Sequence, residues 1–318
     1  MSKILESTKF VIDNSRFVKI NKAQVAEFAR KFEHGAATHW LSAAPFGFTR
    51  LNDEEKLHFL FIFNALSFSY WGEPKWTVGC DERRYDGAWG MIAALHRAIE
   101  EGIPLLDFGY CSTINKTDFA KILRANIEIP LLEERWKILR EIGEVTTAKY
   151  EGKLGNLIGG ANGDARKLLE IIPENFPSFR DSSPYKGKEI YFEKRAQLFV
   201  GDTFQFFGVE SFGNLKNIDK LTACADYKLP QILRKLGVLE YAAALAEKID
   251  NKIEISHGSE EEVEIRANTI WAVELIKEEV KKRNSTIMSI QINDHLWLAT
   301  QEKFPGDKPY HRTRTTTY

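Results

Sequence analysis

Many features that mark a protein class at sight are missing from this chain of 318 residues. Its three cysteines, Cys80, Cys111 and Cys224, are odd in number, far apart and form no CxxC. That argues against a disulfide framework and fits a reducing compartment. An excess of one charge is missing too: 44 Lys and Arg against 45 Asp and Glu leave a formal net charge of −1. A general polyanion binder carries a basic excess. The purely apolar run at residues 59–63 is far too short to span a bilayer, and the first fifteen residues hold no signal-type apolar stretch. The expectation is a cytoplasmic protein with no membrane partner. HExxH, GxSxG, an EF-hand loop and clustered Cys/His are all absent, so neither a metal nor a cofactor is expected. By elimination, a carboxylate working without a cofactor is the best supported catalytic chemistry.

What remains is an ordinary globular composition, 43% hydrophobic and 28% charged. Apolar residues recur at helical spacing over 21–34, 53–70, 87–101, 116–124, 131–147, 166–172, 190–207, 240–249, 260–283 and 287–302, with a hairpin pattern in 71–85. The fold class is therefore mainly α with small β additions. The glycine-rich segment 152–163 matches neither phosphate-binding fingerprint and is expected to be a loop at the boundary between two packed helical lobes of one unit, 1–318. Helix 53–70 is apolar nearly all round, with Asn64 and Ser67 interrupting it; these two need buried partners or a cleft. Helix 190–207 mixes Lys194, Arg195, Gln197 and Asp202 with Leu198, Phe199 and Phe204, which reads as an amphipathic helix with a wet stripe.

One stretch organises the rest. In 221–239, LTACADYKLPQILRKLGVL, a single acidic residue, Asp226, stands between an apolar block and a helix led by Pro230 and stopped at Gly237. A carboxylate at that point is favoured by the free N–H groups and the dipole of the helix. It can be a plain N-cap or a carboxylate held at the rim of a cleft, and the stretch alone leaves both open.

The segment 224–237, CADYKLPQILRKLG, resembles the signature of the queuosine 5′-phosphate N-glycosylase/hydrolase family, the queuosine salvage proteins. Further blocks resemble the family in the same order: LSFSYW (66–71), GAWGMIAALHRAIEEGIP (87–104), PLLEER (130–135), FPSFRD (176–181), EKRAQ with DT (193–203), EVEIR (262–266), LW (296–297) and PYHRTR (309–314). The resemblance covers nearly the whole chain. It implies a helical fold similar to helix-hairpin-helix DNA glycosylases. It also implies hydrolysis of the N-ribosyl bond of queuosine 5′-monophosphate, a free small-molecule nucleotide rather than nucleic acid. Two other readings stay beside it: a helix-hairpin-helix nucleic-acid-binding or base-excision protein, and a non-catalytic queuine or nucleotide binder.

Asp226 matches the family's catalytic aspartate, with Cys224 and Tyr227 beside it. Cys224 stands where relatives often carry an aromatic residue. Asn293 stands where relatives carry Asp before the LW dipeptide, and Leu298 where some carry an acid, so Asp294 is the substitute counter-ion for a cationic base. On that resemblance, an Asp restored at 293 is expected to tighten queuine binding. The histidine of relatives aligns near Ala44, with His39 the nearest replacement. For the 5′-phosphate the candidates are Lys194, Arg195, Arg266 and the tail from His311 to Arg314, because guanidinium groups suit bidentate phosphate recognition. Trp71, Trp271 and Trp297 are the candidates for stacking on the base.

Overall fold

A computed structural model describes residues 2–32, 39–80, 82–302 and 304–318. The chain starts with α1 (Lys3–Asn14), β1 (Val18–Ile20) and α2 (Lys22–Lys31). Asn21 caps α2 by accepting from the amides of Ala23 and Gln24. The predicted end of that helix, residues 33 and 34, lies outside the described residues. Next come α3 (Asp53–Ala65), the antiparallel hairpin β2 (Thr77–Cys80) and β3 (Arg83–Asp86), and α4 (Gly87–Glu100). A run of helices follows: α5 (Phe108–Thr113), α6 (Lys116–Ile122), α7 (Leu132–Tyr150), α8 (Leu154–Gly160) and α9 (Ala165–Asn175). A second hairpin, β4 (Ser182–Tyr185) with β5 (Lys188–Tyr191), precedes α10 (Lys194–Phe207). The chain closes with α11 (Lys228–Lys235), β6 (Leu239–Tyr241), α12 (Ala243–Asp250), α13 (Glu260–Lys281) and α14 (Ser289–Ala299). The fold is mainly α with three two-stranded antiparallel sheets among the described residues. No helix among the described residues is long and apolar enough to cross a membrane.

The β1–β6 pair joins the two ends of the chain, setting Val18 opposite Tyr241 and Ile20 opposite Leu239. Accordingly α1 and α2 pack on α13. The largest buried apolar cluster runs from Trp40 to Leu221 in sequence, and a second combines Val18 to Phe32 with Ala223 to Leu296.

The sequence pattern overran or missed several elements, each for a visible reason. Helix α3 stops at Ala65, and arginines take the carbonyls at and just past its end: Arg195 donates to Ala65 O and Arg135 to Leu66 O and Phe68 O. Segment 152–163 is not a loop throughout, since Leu154, Leu157 and Ile158 are buried as one face of α8. Gly155 is needed there, because a Cβ would stand 2.7 Å from the Glu54 carboxylate and 3.0 Å from the Phe212 ring. The predicted 190–207 helix begins only at Lys194, after Glu193 turns the chain with φ of 50°. The stripe of α10 is not wet either: Lys194, Gln197 and Asp202 are all buried.

Candidate active site

Residues 221–226 belong to no helix or strand, so their backbone groups need other partners. Buried side chains from three helices supply them. Gln197 of α10 accepts from Thr222 N at 2.8 Å, Asn293 of α14 accepts from Cys224 N at 2.9 Å, and Arg266 of α13 donates from Nε to Ala225 O at 3.2 Å. Asp226 follows directly. Its Oδ1 accepts from Lys228 N at 2.7 Å and Leu229 N at 3.0 Å, which caps α11. Its Oδ2 has no hydrogen bond to any described residue, and Asp226 lines a cavity of about 330 Å³. Capping and facing a cleft are thus not alternatives, because each uses a different oxygen.

Asp226 is half-buried on the cavity wall. Its enclosure by protein raises the carboxyl above its ordinary value, against the charge of Lys194 and the two amide hydrogen bonds, which lower it. Lys194 is itself buried on the cavity wall, donating from Nζ to Ser67 O at 3.3 Å, and desolvation lowers its pKa. Ser67 in turn meets Tyr70 OH at 3.1 Å, and Tyr70 also lines the cavity.

The deeper wall carries Asn293, Asp294 and three tryptophans. Trp40, Trp89 and Trp297 pack with centroids 5.1 to 5.4 Å apart. Asp294 is fully buried; its Oδ1 accepts from Asn293 Nδ2 at 3.1 Å and its Oδ2 from Gln205 Nε2 at 2.9 Å and Trp40 N at 3.3 Å. Burial, reinforced by the nearby charge of Asp202, raises the Asp294 carboxyl to about 7. Asp202 lies behind that wall, held by Trp40 Nε1 at 2.8 Å, Asn64 Nδ2 at 2.9 Å and His39 Nε2 at 3.2 Å. At the opening stand Lys75, which is exposed, with the half-buried Asp86, Lys228 and Tyr310. The lining thus combines indole rings and two carboxyls with a buried cation, Lys194, and more exposed ones, Lys75 and Lys228. Such a volume and mixture suit a small ligand with a flat apolar end and an anionic end.

The sequence profile of the family described as "Queuosine salvage protein" matches residues 48–318. The chain belongs to that family. It is 38% identical over 323 residues to a protein of Sphaerobacter thermophilus named queuosine 5′-phosphate N-glycosylase/hydrolase, covering 99% of this chain and 97% of that one. Proteins bearing the same name from Bos taurus (35% over 339 residues, 98% of each chain) and Schizosaccharomyces pombe (31% over 331 residues, 97% and 94%) are similar over the same span.

Against the residues expected from the family resemblance, the structure brings Asp226, Cys224, Tyr227, Lys194, Asn293, Asp294 and Trp297 to one cavity. It does not bring Arg195 or Arg266 there. Arg195 spends its guanidinium on Ala65 O and Ser178 O, and Arg266 forms a bidentate pair with Asp181 at 2.8 and 2.6 Å. His39 does not line the cavity itself; it contacts Asp202 and packs edge-on against the Trp40 ring that does. The tail is also structural: His311 meets Tyr318 OH, Arg312 pairs with Glu73, and Arg314 lies over the Trp71 ring at 3.7 Å. Trp71 lines the cavity, but Trp271 packs away from it, donating to Thr8 Oγ1. Residues not anticipated include Trp40, Trp89, Lys75 and Lys228. Trp89 and Lys228 sit inside the blocks GAWG and ADYK, where proximity to Asp226 and to a glycine-led helix start was the available signal. Trp40 lies outside every block, and only its packing on Trp297 reveals it.

Proposed function

We propose that this chain hydrolyses the N-ribosyl bond of queuosine 5′-monophosphate, releasing queuine and ribose 5-phosphate, with Asp226 as the catalytic carboxylate. The observation that carries the reading is the division of labour at Asp226, one oxygen fixed by two amides and the other unbonded on the wall of a nucleotide-sized cavity. Breaking the C1′–N bond builds positive charge on the ribose. A fixed negative oxygen stabilises that state more than the neutral ground state. The amides orient the carboxylate, and Lys194 helps keep it ionised.

The base goes toward the tryptophan wall, where its flat face meets indole rings and its edge meets Asp294. A 7-deazaguanine lacks the ring nitrogen that commonly takes a proton as a purine leaves. A carboxyl with its pKa near 7 can retain a proton at neutral pH and give it to another atom of the departing base. Water adds to C1′, its proton passing to Asp226, while the base departs with the electron pair of the broken bond and the proton from Asp294. The phosphate is directed toward Lys228 and Lys75, and Lys194 lines the same cavity within electrostatic reach of Asp226.

The likeness to helix-hairpin-helix DNA glycosylases belongs to the same proposal, supported by the mainly helical fold and by an aspartate presented at the start of a helix. So does the division into two packed lobes, supported by the separate buried clusters, although residues 18–32 join the C-terminal one. Free cysteines support a reducing, cytoplasmic setting. The test is incubation with queuosine 5′-monophosphate, queuosine and guanosine monophosphate, with detection of free base by mass. Release of queuine from the first supports the reading, and no release from any of them overturns it.

A further inference from the structure

We propose that the buried ion pair of Asp181 and Arg266 is a positioning device that sets Asp226 and Lys194 relative to each other across the cavity. The inference rests on the reaction proposed above. Arg266 reaches in two directions. Both terminal nitrogens hold Asp181, while Nε donates to the carbonyl of Ala225, the residue immediately before Asp226. Asp181 reaches onward: the same Oδ2 that meets Arg266 accepts the backbone N–H of Lys194 at 2.9 Å, the first residue of α10. Its own carbonyl accepts from Phe192 N at 2.9 Å, fixing the turn that leads into that helix. A continuous chain of bonds therefore runs from the backbone before the carboxylate to the backbone of the lysine whose charge supports it.

The pair is fully enclosed. Arg266 is sealed between the rings of Phe192 at 4.0 Å and Tyr318 at 4.4 Å, with Glu262 Oε1 3.6 Å away. Burying such a pair adds little net stability compared with apolar side chains of similar volume. Its three-way geometry is better explained by what it orients. Only a guanidinium can bind a carboxylate bidentately and still donate through Nε; a lysine keeps the charge and loses the geometry.

The test compares wild type with Arg266→Lys and with the apolar double variant Arg266→Met/Asp181→Leu, which removes both charges of the pair together and leaves Glu262 with His257 at 3.8 Å as its charged neighbour. The expected result for both is a kcat lower by about 10- to 100-fold with KM changed much less, because an ångström of misplacement costs that much while the lining is kept. The acidic limb of the pH–rate profile moves to higher pH, since Lys194 no longer holds the Asp226 carboxyl down. Carboxyl NMR titration of Asp226 in wild type and double variant reads the same shift without substrate, so a wrong substrate and a wrong positioning role are told apart. A folded double variant with wild-type kcat, or with an unmoved Asp226 titration, overturns the proposal.

Discussion

Asp226 and Asp294 face one cavity with opposite surroundings. Asp226 is half-buried, has two backbone amides on one oxygen and the charge of Lys194 nearby, all favouring the ionised form against desolvation. Asp294 is fully buried, and there the charge of Asp202 adds to desolvation while His39 and the hydrogen bonds from Asn293 and Trp40 oppose it. Burial raises both carboxyls, but the rise at Asp226 is held back by two amides and a lysine, whereas Asp294 reaches about 7. Separating two carboxyl groups in this way lets one site supply both a charge stabiliser and an acid.

The comparison breaks first at Asp226. Asp226→Asn keeps an oxygen for capping α11, so denaturant midpoints should stay near wild type while turnover falls by about 1,000-fold or more. Asp226→Ala should lose the same activity and about 1 kcal/mol of stability besides. A next-largest effect is expected at Asp294. Asp294→Asn should lower kcat by about 100-fold and remove a decline in kcat/KM that wild type shows above about pH 7.

The same residue makes stability depend on pH. Its folded value of about 7 stands above the ordinary 3.8, so between those values the folded protein holds a proton that the unfolded chain releases. Stability from this group is complete below the ordinary value and is lost as pH rises toward 7, with a slope of up to about 1.4 kcal/mol per pH unit. Urea titrations from pH 5 to 8 should show a slope that is shallower in Asp294→Asn than in wild type, the raised Glu193 carboxyl supplying the part that remains.

Asn293→Asp sharpens the contrast further. The family resemblance led to an expectation of tighter queuine binding. We predict the opposite outcome, because Asn293 Nδ2 donates to Asp294 Oδ1 at 3.1 Å and an Asp at 293 would exchange that donor for a second carboxyl. Calorimetry should find no gain in affinity, and stability at pH 8 should drop by about 1–3 kcal/mol. The smallest change is expected at the tryptophan wall. Trp89→Leu should raise KM by about 3- to 10-fold through lost ring contacts, with kcat nearly kept.

Arginines and lysines show where the sequence ceased to be a guide. Arg195 and Arg266 suited phosphate by chemistry, yet the five donors that suit an anion also suit a cluster of backbone carbonyls or a buried carboxylate. Lys194 and Lys228, with fewer fixed directions, line the cavity instead. Nothing in the order of residues distinguishes these fates. The stripe on α10 misled for a related reason, since polar residues at helical spacing look the same whether they face water or a buried network.

The sequence by itself determined the mainly helical class, the capped start of α11 with Asp226 ahead of it, and the family. These depend on local periodicity, on residues within one turn of each other, and on ordered blocks read along the chain. Only the tertiary structure decided which donors reach the cavity, that Asp202 sits behind Asp294, and that Gln197, Arg266 and Asn293 hold the segment bearing the carboxylate. Those facts come from helices separated by tens of residues packing side by side, where burial and neighbouring charge set what each group can do.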